Sequence, residues 1–234
     1  MSGHAMPFER WEPAYEAIRS DLGYDRADDE RARDVLGSLL SSEEPLSLDD
    51  VALPGAVAVC GAAPSLSEEL DVVDRADTVV AASTAADVVR DAGLVVDCMV
   101  TDLDKNPDVA RELTDRGVPV AVHAHGDNVD ALRRYVPSFD PKSILPTTQV
   151  APVPPVVNVG GFTDGDRAAF LASAAGADRL LFAGWEFDDP TVSTEKARKL
   201  LWAERLLYWL ERERGERFSV LEGRRDRIEL PWLS

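Results

Sequence analysis

Lysine is nearly absent from this chain: Lys105, Lys142, Lys196 and Lys199 stand against twenty-one arginines and 43 acids, for a formal net charge of −18. That balance excludes a bare nucleic-acid or anionic-membrane binder, because binding by counterion release needs a Lys/Arg face. A phosphate ligand would require a cation as mediator. So large a carboxylate excess also suggests a halophilic organism with a very salty cytoplasm, which bears on solubility and not on mechanism. Cysteine is scarce as well. Cys60 and Cys98 both fall within apolar runs, where a free thiol behaves as a small buried hydrophobe, and this points to a reducing compartment. No run approaches the roughly 18 consecutive apolar residues of a membrane span, and "MSGHAMPFERWEP" lacks the basic and apolar regions of a signal peptide. The expectation is a soluble cytoplasmic protein with no nucleic-acid or membrane partner, its oligomeric state open and a homodimer among the options.

What is present is enough for one sizeable core: 234 residues, 45% of them hydrophobic. Residues 1–50 read as an N-terminal helical cap and linker. Trp11, Tyr15, Ile18 and Leu22 recur at helical steps, an acidic "DRADDERARD" follows, and "SSEEPLSLDDVALPG" resembles a connector. Thirteen acids and five bases fall in these fifty residues, which suits a solvated helical face.

Residues 51–234 have another texture, short apolar runs each followed by a polar cluster: "AVAVC" then "GAAPS", "TVVAA" then "ST", "VVDCMV" then "TDLD", "VPVAV" then "HAHGDN", "LLFAG" then "WEFDD". Helix-like segments lie between them. This alternation predicts an α/β fold, a mostly parallel sheet with flanking helices. Ligands in such folds collect at the carboxyl ends of the strands, where all five polar clusters fall. "TEKARKLLWAERLLYWLERERG" predicts a C-terminal helix ending at Gly215, with Trp202, Tyr208 and Trp209 as packing residues.

Four runs carry candidate chemistry. In "TDLDKN", an extended backbone would point Asp102 and Asp104 the same way, a divalent-cation geometry suited to magnesium; alternatively one of them caps the helix beginning near Pro107. In "GAAPSL", Gly61 allows close approach and Ser65 offers a hydroxyl at a helix start, either a phosphate turn or an ordinary strand-to-helix turn. "HAHGDN" puts His123 and His125 on one face with Asp127 and Asn128 beyond: a zinc or manganese site, donors to a transferring phosphoryl group, or histidines satisfied within the sheet. In "NVGGFTDGDR", Asn158, Gly160, Gly161, Thr163, Asp164, Asp166 and Arg167 imply positive φ or close contact with a ligand, where a cap alone would need neither the glycine pair nor Asn158.

Taken in order, "GAAPSL", "TDLD", "HAHGDN", "TTQ" and "NVGGFTDGDRA" resemble the archaeal 6-hydroxymethyl-7,8-dihydropterin pyrophosphokinases, from about Trp11 to Leu210. That resemblance implies a catalytic core similar to thiamine pyrophosphokinases, with ATP as co-substrate and Mg²⁺ as cofactor. It implies transfer of pyrophosphate from ATP to the pterin hydroxymethyl oxygen, releasing AMP, for folate or methanopterin synthesis. Asp102 and Asp104 would hold the metal. His125, Asp127, Asp164, Asp166 and Arg167 would serve the transfer; Gly61, Ser65, His123, Asn128, Asn158, Gly160, Gly161 and Thr163 would line the ligands. Thr147, Thr148 and Gln149 would read the pterin edge. Ala63 stands where a second glycine is expected, and Glu186 where an aspartate is usual. A metal-dependent nucleotide-sugar glycosyltransferase and a non-catalytic nucleotide-binding module are the alternatives.

Overall fold

The computed structural model describes residues 6–233. Six strands form one parallel sheet in the order β5-β4-β3-β2-β1-β6. They are β1 (Ala56–Cys60), β2 (Thr78–Ala82), β3 (Cys98–Thr101), β4 (Val120–Ala124), β5 (Ile144–Thr148) and β6 (Arg179–Ala183). The continuous apolar runs follow from burial on both faces. Along β1, Val57 and Val59 pack on one side while Ala58 and Cys60 pack on the other. Both cysteines are free and buried.

One face carries α1 (Phe8–Leu22), α7 (Asp164–Ala174) and α8 (Thr194–Arg214), with Trp11, Phe170 and Trp209 meeting at ring distances of 6.2–6.5 Å. The other holds α2 (Arg26–Leu39), α3 (Leu70–Asp74), α4 (Ala85–Asp91), α5 (Pro107–Asp115) and α6 (Val129–Tyr135). Gly215 ends α8 in the left-handed conformation, as expected, and Trp202 and Trp209 are buried packing residues.

Three expectations are corrected. The sheet has a sixth strand, β5, unread in the sequence because Pro146 lies within it. Proline is tolerated on an edge strand, and the outer side of β5 is covered by Val157, whose N–H donates to the Pro146 carbonyl at 2.9 Å. The segment after Gly61 is a 3₁₀ turn, Pro64–Glu68, before the short α3, and not one helix: the Glu69 carboxylate turns aside to accept from Gly184 N at 2.7 Å. The acidic N-terminal segment is packed as well as solvated. Trp11, Tyr15 and Ile18 are buried and so is Asp29, while the connector is tied to β5 through Leu46 N to Ile144 O at 2.8 Å and to the end of α7 through Leu53 N to Ala175 O at 3.0 Å.

Candidate active site

The polar strand ends meet in one cleft of about 690 Å³. Its floor is the loops after β1 (Gly61–Pro64), β2 (Ser83, Thr84), β3 (Asp102, Asp104, Lys105), β4 (His125–Asp127) and β6 (Gly184–Glu186). Gln149 follows β5, and Phe162, Thr163, Asp164, Gly165 and Arg167 enter from the start of α7. The turn between α1 and α2 adds Tyr24 and Asp25, α2 adds Asp28 and Asp29, and α8 adds Lys196 and Lys199.

Asp102 and Asp104 converge, although not along an extended strand. Strand β3 stops at Thr101, Leu103 turns to φ 67° and buries its side chain, and Asp102 Oδ1 accepts from Asp104 N at 3.1 Å. Neither aspartate caps α5, since Asn106 holds that position and donates its amide to Ser83 O and Asp87 Oδ2. Asp102 Oδ2 lies 3.4 Å from His125 Nε2. Burial alone would raise the Asp102 carboxyl, but hydrogen bonding to His125 holds it well below the carboxylate range. Asp104 goes the other way, raised to about 6 by burial and by its neighbour Asp102. Asp164 is raised to about 7, by burial first and then by the charge of Asp102. Three carboxylates therefore press on one another.

"HAHGDN" divides between its readings. His123 is fully buried in the sheet with Nδ1 3.0 Å from Thr147 Oγ1, and burial followed by the Arg167 charge pushes its pKa well down. His125 and Asp127 border the cleft. Asn128 is scaffolding: its amide donates to Asp102 O at 2.9 Å and His123 O at 2.6 Å, tying the ends of β3 and β4 together. Gly126 N donates to Asp29 Oδ1 at 2.7 Å; Asp29 Oδ2 also accepts from Tyr15 Oη and from the Gln149 amide. Of "TTQ" only Gln149 borders the cleft, while Thr147 and Thr148 are buried in β5.

"NVGGFTDGDR" is largely architecture. Gly160 and Gly161 sit at φ 84° and 87°, and a Cβ on Gly161 would come within 2.4 Å of Arg167 Cα, so the packing of α7 alone requires glycine there. Asn158 spans Val150 O and Gly160 N, outside the cleft. Thr163 and Asp166 form a capping box, which leaves Asp166 buried beneath the helix start. Thr163, Asp164 and Arg167 reach the cleft, with Arg167 Nη1 3.0 Å from Asp164 Oδ1.

At the first strand end, Gly61 is required because a Cβ there would stand 2.4 Å from the Gly184 carbonyl. Ser65 lies outside the cleft. Its N–H donates to Glu186 Oε1 at 3.2 Å. The longer Glu186 thus closes the start of the 3₁₀ turn.

As a donor set, the convergent oxygens suit a hard cation. Among the described residues no group of three or more His, Cys, Asp or Glu could cage a metal ion. A carboxylate pair still fits magnesium, which takes one or two carboxylates and fills its remaining positions with water and substrate phosphate.

The model of the family described as 6-hydroxymethylpterin diphosphokinase MptE-like matches residues 47–191, which span all six strands and every strand-end loop of the cleft. This chain belongs to that family. Curated relatives named 6-hydroxymethyl-7,8-dihydropterin pyrophosphokinase are similar over 88% of this chain. That of Methanothermobacter thermautotrophicus is 38% identical with 96% of its length covered, that of Pyrococcus furiosus 37% with 95%, and that of Methanocaldococcus jannaschii 27% with 96%. For a pterin diphosphokinase family member, the α/β core is the expected one. The glycosyltransferase alternative draws nothing from these relatives.

Several cleft residues were unread in the sequence. Asp28 and Asp29 were hidden in an acidic run, whereas Ser83 and Thr84 read only as the polar cluster "ST" after a strand. Lys105, Lys196 and Lys199 had a signal available, the rarity of lysine itself.

Proposed function

We propose that this protein transfers the pyrophosphoryl group of ATP to the hydroxymethyl oxygen of 6-hydroxymethyl-7,8-dihydropterin, giving the pterin diphosphate and AMP. The hydroxymethyl oxygen attacks the β-phosphorus, the bond from that phosphorus to the α–β bridging oxygen breaks, and the hydroxyl proton is released. One observation carries the reading: Asp102, Asp104 and Asp164 share a cleft at the carboxyl edge of a parallel sheet, in a member of a pterin diphosphokinase family.

A carboxylate about 4 Å from a phosphate oxygen repels it by roughly 4 kcal/mol at an effective dielectric near 20. Polyphosphate therefore enters this cleft with a cation, and Asp102 and Asp104 are the residues that would hold Mg²⁺. When bound, that ion neutralises phosphate charge between the carboxylates and the nucleotide. His125, paired with Asp102, keeps that carboxylate ionised and oriented. Arg167, anchored on Asp164 and the Phe162 carbonyl, offers a fixed positive charge from beneath. The Gly61 turn lets the nucleotide approach the backbone, and Gln149 is the member of "TTQ" available to a pterin edge. The effect is mainly positional, since holding two substrates in line is worth several kcal/mol. Residues 1–50 act as a cap on the catalytic domain of residues 51–234, and the compartment is the cytoplasm.

Incubation with ATP, Mg²⁺ and the hydroxymethyl dihydropterin should give AMP in equal amount to pterin diphosphate, and none when the pterin is omitted. Formation of ADP, or no pterin-dependent AMP, would overturn the proposal.

A further inference from the structure

Three of the chain's four lysines, Lys105, Lys196 and Lys199, border the cleft, whereas of its twenty-one arginines only Arg167 does. Elsewhere arginine does the ion pairing, as in Arg26 with Glu12 and Glu16, Arg90 with Glu112, and Arg225 with Glu211. Arginine's planar fork would lock onto the carboxylates that crowd this cleft. Lysine is a compact point charge with rotatable donors, which binds phosphate without fixing a carboxylate bidentately.

Lys199 is engaged, 2.9 Å from Glu195 and over the Tyr24 ring. Lys105 and Lys196 make no ion pair among the described residues, although nine acids border the same cleft. They come from different walls: Lys105 follows Asp104 in the loop after β3, and Lys196 stands in the first turn of α8. The next turns of α8 are tied to α1, where Asp21 accepts from Trp202 Nε1 at 2.8 Å and pairs with Arg198 at 3.1 Å. Burial and then the charge of Lys105 push the Lys196 ammonium below its ordinary value, so the two cations feel each other. ATP carrying one divalent ion keeps about two negative charges, which two such ammonium groups would balance.

We infer that Lys105 and Lys196 form a two-sided clamp on the polyphosphate chain of ATP. The inference rests on the ATP reading of the cleft and adds to it the residues that bind the transferred group. Lys105→Ala, Lys196→Ala, the double variant, Lys196→Arg and the remote Lys142→Ala form the test set. Each single alanine should raise the KM for ATP about tenfold and the double variant about a hundredfold, with the pterin KM within about twofold of wild type. Lys196→Arg should recover only part of the affinity, because its fork pairs with the cleft carboxylates, and Lys142→Ala should match wild type. Calorimetry with magnesium tripolyphosphate reads the same clamp without turnover: wild type binds it, and the double variant binds it about a hundredfold more weakly. Equal tripolyphosphate binding, or an unchanged ATP KM in the double variant, overturns the clamp. Wild-type protein that makes no AMP yet binds tripolyphosphate through these lysines would sink the transfer reading and leave the clamp standing.

Discussion

The cleft and the C-terminal clasp both bring carboxylates out of water, and they treat them in opposite ways. In the clasp, residues 216–233 fold back over α8, and every buried carboxylate there has an arginine. Arg225 takes Glu211 through Nε at 2.8 Å and Nη2 at 2.6 Å, and Arg224 grips both Glu204 and Asp188. Burial would raise Glu211, but Arg225 brings it below its usual value, and Arg224 with Arg227 holds Asp188 down to about 2. In the cleft, Asp104 and Asp164 are pushed up, first by burial and then by the neighbouring Asp102 carboxylate, even though Asp164 has Arg167 at 3.0 Å. Paired charge fixes a fold; unpaired like charge marks a place waiting for a counterion.

Single substitutions should separate the two regions. Asp102→Asn or Asp104→Asn should lower turnover by about two to three orders of magnitude. The urea midpoint should stay level or rise in Asp104→Asn, which removes charge repulsion and no arginine partner, and fall modestly in Asp102→Asn, which loses the His125 pair. Glu211→Gln should do the reverse: a loss of about 3 kcal/mol in stability from the stranded Arg225, with turnover of the folded fraction unchanged. An AMP assay beside urea unfolding reads both. Should Asp104→Asn unfold the chain, or Glu211→Gln silence folded enzyme, the division between the regions is wrong.

Ligand-linked stability sharpens the contrast. Saturating Mg²⁺ and ATP at about 100 times Kd should stabilise wild type by about 2.7 kcal/mol and leave Asp104→Asn nearly unmoved, while Glu211→Gln keeps the full increment from its lower starting point. Thermal unfolding with and without the pair measures it.

These two regions were not equally legible. The strand-end clusters were readable because parallel strands are continuous apolar runs and the polar residues following them fall on one edge, which gave Asp102, Asp104, His125 and Asp127 their place in the cleft, while Asp164 and Arg167 were marked by the glycine-rich run that leads into α7. Strand β5 escaped because Pro146 masks it, and helix α6 because "VDALRRY" is too short to show a period. The roles of Asn128, Asn158, Gly161 and Asp166 were unreadable in principle: a buried side chain bracing two loops uses the same residue types as one that touches a ligand. Asp29 was missed for the opposite reason, because a carboxylate in a charged run reads as solvated until a distant Tyr15, Gln149 and Gly126 are brought to it.

A smaller effect tests the boundary between brace and site. His123 lies under the cleft, buried and neutral, with its folded pKa below the unfolded value near 6.5. The unfolded chain binds the proton first as pH falls, so stability from this residue is present above about pH 6.5 and lost progressively below it. His123→Gln should remove that part of the pH slope between pH 7.5 and 5.5, measured as the difference between variant and wild type. An identical slope in both would return His123 to the titrating, ligand-facing groups.

The central claim is that the acidic cleft accepts a nucleotide's polyphosphate only when a divalent cation accompanies it. Isothermal titration of wild-type protein with ATP, first with excess Mg²⁺ and then with all divalent ions removed by a chelator, tests it most directly. Binding with magnesium and a loss of at least about a hundredfold without it is the expected result; equal affinity in both titrations would contradict the account.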